Sequence, residues 1–425
     1  MEQPQVIEGE AGLPGLEGYR RDARAWLREN CRRRTGPPAM RGPEYYSEDV
    51  LGASRGFQRR LYDAGYAGIS WPKDYGGQGL PDEYQNVFDE EAEAFELPDF
   101  GFLADSTYKN CVPTMLAHAS PEYLREFVPK TLVGDALFCK FFSEPAAGSD
   151  LAGVRTRADR DGDEWVINGQ KLWTSFGNVA DWGMCLARTD WDATKHRGLT
   201  WFAVPCSAPG LTIRPIKQIN GTYRFCEEFF DDVRVPDAYR IGDVNDGWSV
   251  TQTMLVFERG AGASKVLSPL PGPGPLSPDL VAVAERAGRL GDPVVRQLLA
   301  TAHANDFVGT ALQHRIAELH HIGALGPGQA AYGKLFAGTY NPIRAQIILN
   351  VGGPRSFVWP SGAEDGDSAA VNFLNGRMRS IAAGTNEMQR NGIAERVLGM
   401  PREPSYNTKK PFKEVLREAA KWADR

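Results

Sequence analysis

Trp165-Val166-Ile167-Asn168-Gly169-Gln170-Lys171-Leu172-Trp173 sets two β-favouring runs on either side of an Asn-Gly pair. Asn-Gly supplies the two left-handed residues of a type I′ turn, so the stretch reads as a β-hairpin. Outward from it, Gly183 to Arg188, Leu199 to Val204, Leu211 to Ile216 and Arg224 to Phe230 are further short strands, broken by Gly, Pro and polar clusters. At this spacing they predict a compact antiparallel β-barrel or sandwich. On both sides the hydrophobic period becomes helical. Upstream, Tyr19, Ala23, Trp26 and Leu27 fall on one stripe and Phe57, Leu61 and Tyr62 on another. Gly65 suits a helix C-cap after Ala64, and Ser120-Pro121 reads as an N-cap followed by proline at the first helical position. The loop from Trp71 to Gly79, with its Gly76-Gly77 pair, cannot be helical. After Gly247 the helical period returns, interrupted by the proline-rich stretch from Ser268 to Pro278. The expected fold class is α-β-α in three domains: helical over 1–135, β over 136–246 and helical over 247–425.

A chain of 425 residues has room for two or three domains and a large core. With 42% hydrophobic and 24% charged residues, its composition is that of a soluble globule and excludes disorder, collagen and a disulfide-dense mini-protein. No apolar run approaches the ~18 residues of a membrane-spanning helix. Met1 to Gly12 carries Glu2, Glu8 and Glu10 and no Lys or Arg, unlike a signal or transit peptide, so we expect a cytoplasmic protein with a disordered acidic tip and no membrane partner. The net charge of −6 argues against a nucleic-acid partner, and the basic run from Arg20 to Arg34 reads as a solvated helix face and its exit. Cys31, Cys111, Cys139, Cys185, Cys206 and Cys226 form no Cys-x-x-Cys pair, and the six histidines lack ligand spacing. Reduced, mostly buried thiols and no metal site are expected.

Three constellations carry chemistry. Phe141-Phe142-Ser143-Glu144-Pro145-Ala146-Ala147-Gly148-Ser149-Asp150 joins a strand end to a loop of small residues, which lets a ligand touch the backbone; alone, it is also a plain turn. Trp173-Thr174-Ser175 offers an indole beside two hydroxyls, suited to a flat, hydrogen-bonding ring but equally to a core Trp with surface hydroxyls. Gly384-Thr385-Asn386-Glu387 opens a helix, a natural seat for a phosphate or a simple N-cap.

Read together, these sites and the α-β-α order resemble the acyl-CoA dehydrogenase family from roughly Tyr19 to Pro401, with Trp71-Pro72 and Tyr75-Gly76-Gly77 as a fourth match. The resemblance implies a C-terminal four-helix-bundle-like domain, a FAD cofactor, an acyl-CoA substrate, α,β-dehydrogenation as a step in fatty acid metabolism, and electrons passed to an electron-transfer flavoprotein. By position it implies that Phe142 and Ser143 meet the flavin ring edge and that Gly148 and Ser149 line the flavin and the acyl-CoA. Trp173 would cover a flavin face, with Thr174 and Ser175 hydrogen-bonding near its reactive nitrogen. Thr385 and Glu387 would bind the adenosine-diphosphate portion, and Gly352-Gly353 would approach FAD held mainly by a neighbouring subunit of a homo-oligomer, a dimer or a tetramer.

Dehydrogenation needs a base for the α-proton, a carboxylate in a dry pocket. Many family members place this Glu immediately before the Gly-Thr motif, where this chain has Ala383. A second subgroup supplies it from the first helix after the β unit, where the matching residue is Glu258 in Leu255-Val256-Phe257-Glu258-Arg259-Gly260. Phe257, Arg259, Ala383, Gly384 and Ser149 would then line the substrate site. The Arg-x-x-Phe-Gly segment that crosses to a partner's FAD in much of the family is missing, and Arg286 stands as its substitute. Likewise Leu349 replaces the family's Gln before the glycine pair. Such losses fit a bacterial subgroup that assembles with a paralogue as mixed tetramers. Two other readings keep the fold: a non-catalytic half-site subunit, and an oxygen-using oxidase or monooxygenase.

Overall fold

Helices come first in the chain: α1 (Leu16–Asn30), α2 (Glu48–Asp63), α3 (Asp82–Ala92), α4 (Phe102–Ala104), α5 (Val112–His118) and α6 (Pro121–Leu132). A strand pair, β1 (Arg32–Arg33) and β2 (Phe95–Glu96), clips α1 to α3, and a π-helical stretch (Asp105–Cys111) joins α4 to α5. The computed structural model describes residues 13–35, 47–258, 274, 276–326, 328–358, 369–405 and 407–423, so the acidic tip, Arg259 and most of the proline-rich stretch lie outside the described residues. The helix signals hold. Ala23 and Leu27 of α1 bury against Tyr84, Phe88 and Phe95 with Tyr19 and Trp26 beside them, Gly65 is left-handed after Ala64, and Ser120 accepts a hydrogen bond from the Tyr123 amide. The basic run is less solvated than its composition suggests. Arg20 and Arg24 both reach Glu91 of α3, at 3.0 and 2.6 Å, and these pairs hold the Glu91 carboxyl below the ordinary carboxylate range against the effect of burial.

Eight strands follow: β3 (Phe138–Phe141), β4 (Arg157–Asp161), β5 (Glu164–Ser175), β6 (Trp182–Arg188), β7 (Leu199–Pro205), β8 (Leu211–Ile216), β9 (Phe225–Pro236) and β10 (Arg240–Ile241). They form one sheet in the order β10-β7-β6-β4-β5-β9-β8, with β3 beside β6. It is antiparallel except where β3 and β4 run parallel to β6, so the sheet is mixed rather than wholly antiparallel.

The decisive stretch does not turn where Asn-Gly stands. Trp165 to Trp173 lies within the single strand β5, and the hairpin closes earlier, at Asp161-Gly162-Asp163-Glu164, where Gly162 takes φ +62°. Two contacts hold Asn168-Gly169 in the strand. Asn168 exchanges hydrogen bonds with Asp232, which sits with Asp231 in a bulge of β9, and a Cβ at Gly169 would stand 2.7 Å from the Thr156 backbone. Local turn propensity has yielded to pairing on both sides of β5.

Helices resume with α7 (Gly247–Glu258), α8 (Pro278–Arg286), α9 (Pro293–His321), α10 (Ala331–Gly352), α11 (Ala369–Gly376), α12 (Asn386–Arg396) and α13 (Phe412–Ala423). Helical units therefore flank a β-sheet unit. One core runs through all three, from Met115 and Phe127 through Phe138 and Trp201 to Val250 and Met254, and the fully buried Trp201 indole donates to Gly247 O and Thr251 Oγ1 of α7. Among the described residues no helix is long and apolar enough to cross a membrane.

Candidate active site

β3 delivers the chain into the loop of small residues, and a buried ion pair fixes that loop. Lys171 of β5 is fully buried, 2.8 Å from Glu144 and donating to Phe142 O at 3.1 Å. Burial would raise the Glu144 carboxyl, but Lys171, with the amides of Arg155 and Thr156 at 2.6 and 2.9 Å, outweighs it and holds the group below the ordinary carboxylate range. The Leu172 amide donates to Ser143 O, so with the Lys171 bond to Phe142 O both residues are locked to β5. Phe142 packs edge-on against Trp201, while Gly148 and Ser149 are exposed, with nothing within 4 Å of a Cβ placed at Gly148.

Trp173 owes its position to a second irregularity. Alternation along β5 turns Trp165, Ile167 and Lys171 inward and would bury Trp173 as well. The register slips between Leu172 and Thr174, Trp173 takes φ +69°, and the inward place passes to Thr174. The indole is left 55% exposed, edge-on to Phe225. A left-handed conformation in a bulky residue is strained, and such strain collects at ligand sites. The Thr174 hydroxyl, now inside, donates to Glu228 Oε2 at 2.7 Å and lies 3.4 Å from Lys140 O. Ser175 follows, half-buried, paired with Phe225.

Glu258 closes α7, and its carboxylate is 3.4 Å from Lys140 Nζ of β3. Phe257 precedes it, half-buried. Lys334 of α10 also feels Glu258: burial and Arg379 push its ammonium down, and Glu258 acts to raise it. Lys334 donates to Arg379 O, four residues before Ala383, so the start of α10 is tied to the segment carrying Ala383. Ala383 is itself left-handed at φ +56°, followed by Gly384 at +87°. Thr385 caps α12 by accepting from the Met388 amide, and Asn386 reaches back to Gly338 O of α10. Glu387 is exposed in the first turn, its carboxyl held down by its own amide and the Thr385 hydroxyl.

β3 and β5 bring Phe142 and Ser143 beside the strand that carries Trp173, Thr174 and Ser175, and Lys140 ties Glu258 to β3, while Ala383, Gly384 and Thr385 stand on the segment that packs on α10. The structure does not bring Gly352, Gly353 and Arg286 to these residues. Gly352 ends α10, eighteen residues beyond Lys334, which is about 27 Å along the helix. Arg286 is exposed at the end of α8. Arg289 instead donates to the carbonyls of Asn350 and Val351 beside the glycine pair, where Gly353 turns at φ +66°. Residue-by-residue reading passed over Lys140, Lys171, Glu228 and Arg289. Glu228 had a signal: Glu227 and Glu228 adjoin on one strand, so one of them must face the interior.

The family model described as acyl-CoA dehydrogenase, middle domain, matches residues 139–233, and that described as acyl-CoA dehydrogenase, C-terminal domain, matches 245–398. Acyl-CoA dehydrogenase IpdE1 of Mycobacterium tuberculosis is 35% identical over 395 residues, covering 92% of this chain and 99% of its own length. Among solved structures, the Tcur3481-Tcur3483 steroid ACAD aligns with a TM-score of 0.71 at 29% identity over 94% of this chain and all of that one. The ChsE4-ChsE5 complex from Mycobacterium tuberculosis aligns with a TM-score of 0.67 at 28% identity over the same shares.

Proposed function

The chain belongs to the acyl-CoA dehydrogenase family, and from that premise we propose that it converts an acyl-CoA thioester to the trans-2-enoyl-CoA, with FAD as the redox group and Glu258 as the base. The observation that carries the reading is the Lys140–Glu258 contact. It sets a carboxylate beside the strand that runs directly into Phe142 and Ser143, while the other family position for a base holds Ala383. The residues present fit a flavin: an exposed, bulge-strained indole, the half-buried Ser175 two residues on, and a loop with open space at Gly148; the Thr174 hydroxyl, expected at the ring, is instead turned inward to Glu228. Trp173, Ser175, Phe142 and Ser143 would hold the ring, with Thr174 bracing the strand from inside, and Thr385 and Glu387 the adenosine-diphosphate portion. Bound there, FAD supplies a two-electron acceptor for the hydride leaving Cβ. Glu258 takes the α-proton onto a carboxylate oxygen, and Lys140 fixes that carboxylate in place before substrate arrives. An electron-transfer flavoprotein would be the acceptor of the electrons. We assign domain borders near 135 and 246, and a cytoplasmic location.

The distance along α10 favours sharing of FAD between subunits, with Gly352, Gly353 and Arg289 facing a neighbour's flavin. Relatives named as a steroid dehydrogenase pair and as a two-protein complex support a bulky, ring-bearing acyl group and leave room for a paralogous partner. Purification decides between these readings. The protein prepared alone is expected to be yellow, with FAD released on denaturation. A colourless protein that turns yellow only with a paralogous chain would replace this reading by that of a half-site subunit.

A further inference from the structure

Arg188, the last residue of β6, is fully buried, and among the described residues no carboxylate pairs with it. Carbonyls hold its guanidinium instead. Nε donates to Val154 O at 3.2 Å, Nη1 to Arg197 O at 3.3 Å, and Nη2 to Ala152 O at 2.7 Å and Lys195 O at 3.2 Å. A buried cation without a paired carboxylate is costly, and burial pushes this one down to about 10 against the raising pull of Glu144, Asp190 and Asp150. Phe412, the first residue of α13, covers it. That side chain is 2% exposed, and its ring centre lies 3.8 Å from the guanidinium carbon. The negative face of an aromatic ring stabilises a cation that has lost its water.

Backbone contacts build the seat of Phe412. Its amide donates to Ala193 O at 2.9 Å and the Lys413 amide to Trp191 O at 3.0 Å, Pro411 bridges to Thr194, and Lys413 pairs with Asp192. The mechanism above uses no residue after Glu387. On its other side the same guanidinium reaches the ligand loop. Ala152 and Val154 follow Asp150 closely, and Lys195, itself 7% exposed, donates to Asp150 Oδ2 at 2.5 Å. Asp150 adjoins Gly148 and Ser149, and Arg155 and Thr156 next along supply the amides that hold Glu144. Arg188 therefore joins the ligand loop after β3, the loop between β6 and β7, and the C-terminal segment.

We propose that Arg188 is a positioning residue and that Phe412 seats the C-terminal segment on it as a strap, which sets the loop from Gly148 to Val154 for its ligand. The inference rests on placing Gly148 and Ser149 against FAD, as proposed above. With the ring removed, water reaches the guanidinium and competes for its N–H groups. The loop then loses its anchors at Ala152 and Val154. The coupling is reciprocal: a strap that tightens FAD binding by a given factor is held more tightly by FAD by the same factor.

Phe412→Ala tests this, because it removes the ring and leaves Arg188 and the loop residues as they are. Flavin-free wild type and variant are titrated with FAD, and hydrogen exchange of the α13 amides is followed with and without FAD. The variant is expected to bind FAD about 5–150-fold more weakly, the usual range for coupled sites. In wild type, FAD is expected to slow exchange across α13 by a similar factor, and in the variant to leave it unchanged. A segment that merely covers Arg188 would give faster α13 exchange in the variant with equal FAD affinity; that result overturns the inference and leaves the flavin reading standing. Weaker FAD binding by the variant, with no slowing of α13 exchange by FAD in wild type, also overturns it, since general damage to the fold does not obey the reciprocity. Should the variant fail to fold, the wild-type exchange measurement decides alone. Failure of wild type to bind FAD overturns both.

Discussion

Glu258→Gln is expected to retain FAD and to lose reduction by acyl-CoA, slowing the reductive half-reaction by about 10²–10⁴-fold, the range that a positioned general base contributes. Gln keeps the shape of the side chain and can still hydrogen-bond to Lys140, 3.4 Å from the present carboxylate, so the end of α7 should stay in place. What it removes is the acceptor for the α-proton. Thioester binding should change little, which separates loss of the base from loss of the site. Stopped-flow absorbance under anaerobic conditions reads both quantities. Reduction as fast as wild type would mean that another group takes the proton. Ala383, left-handed and without a titratable atom, cannot be that group.

Lys171→Met is expected to cost about 3–5 kcal/mol of stability, because it strands the buried Glu144 carboxylate while filling the space of the lysine stem. In the native chain Glu144 is held below the ordinary carboxylate range, so its contribution to stability is present above that range and lost as pH falls. Without Lys171 the balance reverses: burial raises Glu144, and the defect should shrink in acid as the carboxyl takes up a proton. Denaturant unfolding at neutral and mildly acid pH checks both the size and the direction. The same substitution frees Phe142 O and loosens the loop through Gly148, so FAD affinity should fall with stability. A neutral effect on unfolding at pH 7 would show that the pair does not organise the loop.

The helical stripes, the caps at Ser120 and Ala64, and the existence of most strands were legible because each rests on local period and capping chemistry. Asn168-Gly169 misled for the opposite reason. Its turn propensity is local, whereas its place in β5 is set by Thr156 on one side and Asp232 on the other, far apart in sequence. Lys171 and Glu144 both stand in the motifs that carried the family resemblance, yet hydropathy places charged residues at the surface and nothing in their 27-residue separation announces a pair. Only the β3–β5 neighbourhood brings them together. The bulge at Trp173 is likewise invisible to alternation, which would bury the indole, although it is what turns Trp173 outward and Thr174 inward. Arg289 was missed in favour of Arg286 because the chain leaves α8 at Arg286 and turns at the left-handed Gly288, and that turn, not the helical period, brings Arg289 to Asn350.

The most direct measurement is anaerobic mixing of the purified yellow protein with a panel of acyl-CoA thioesters, from straight-chain to ring-bearing, while flavin absorbance is followed and product is analysed. Bleaching by at least one thioester is expected, with formation of the matching 2-enoyl-CoA and loss of that bleaching in Glu258→Gln. A flavin that dithionite bleaches but no thioester does would contradict it.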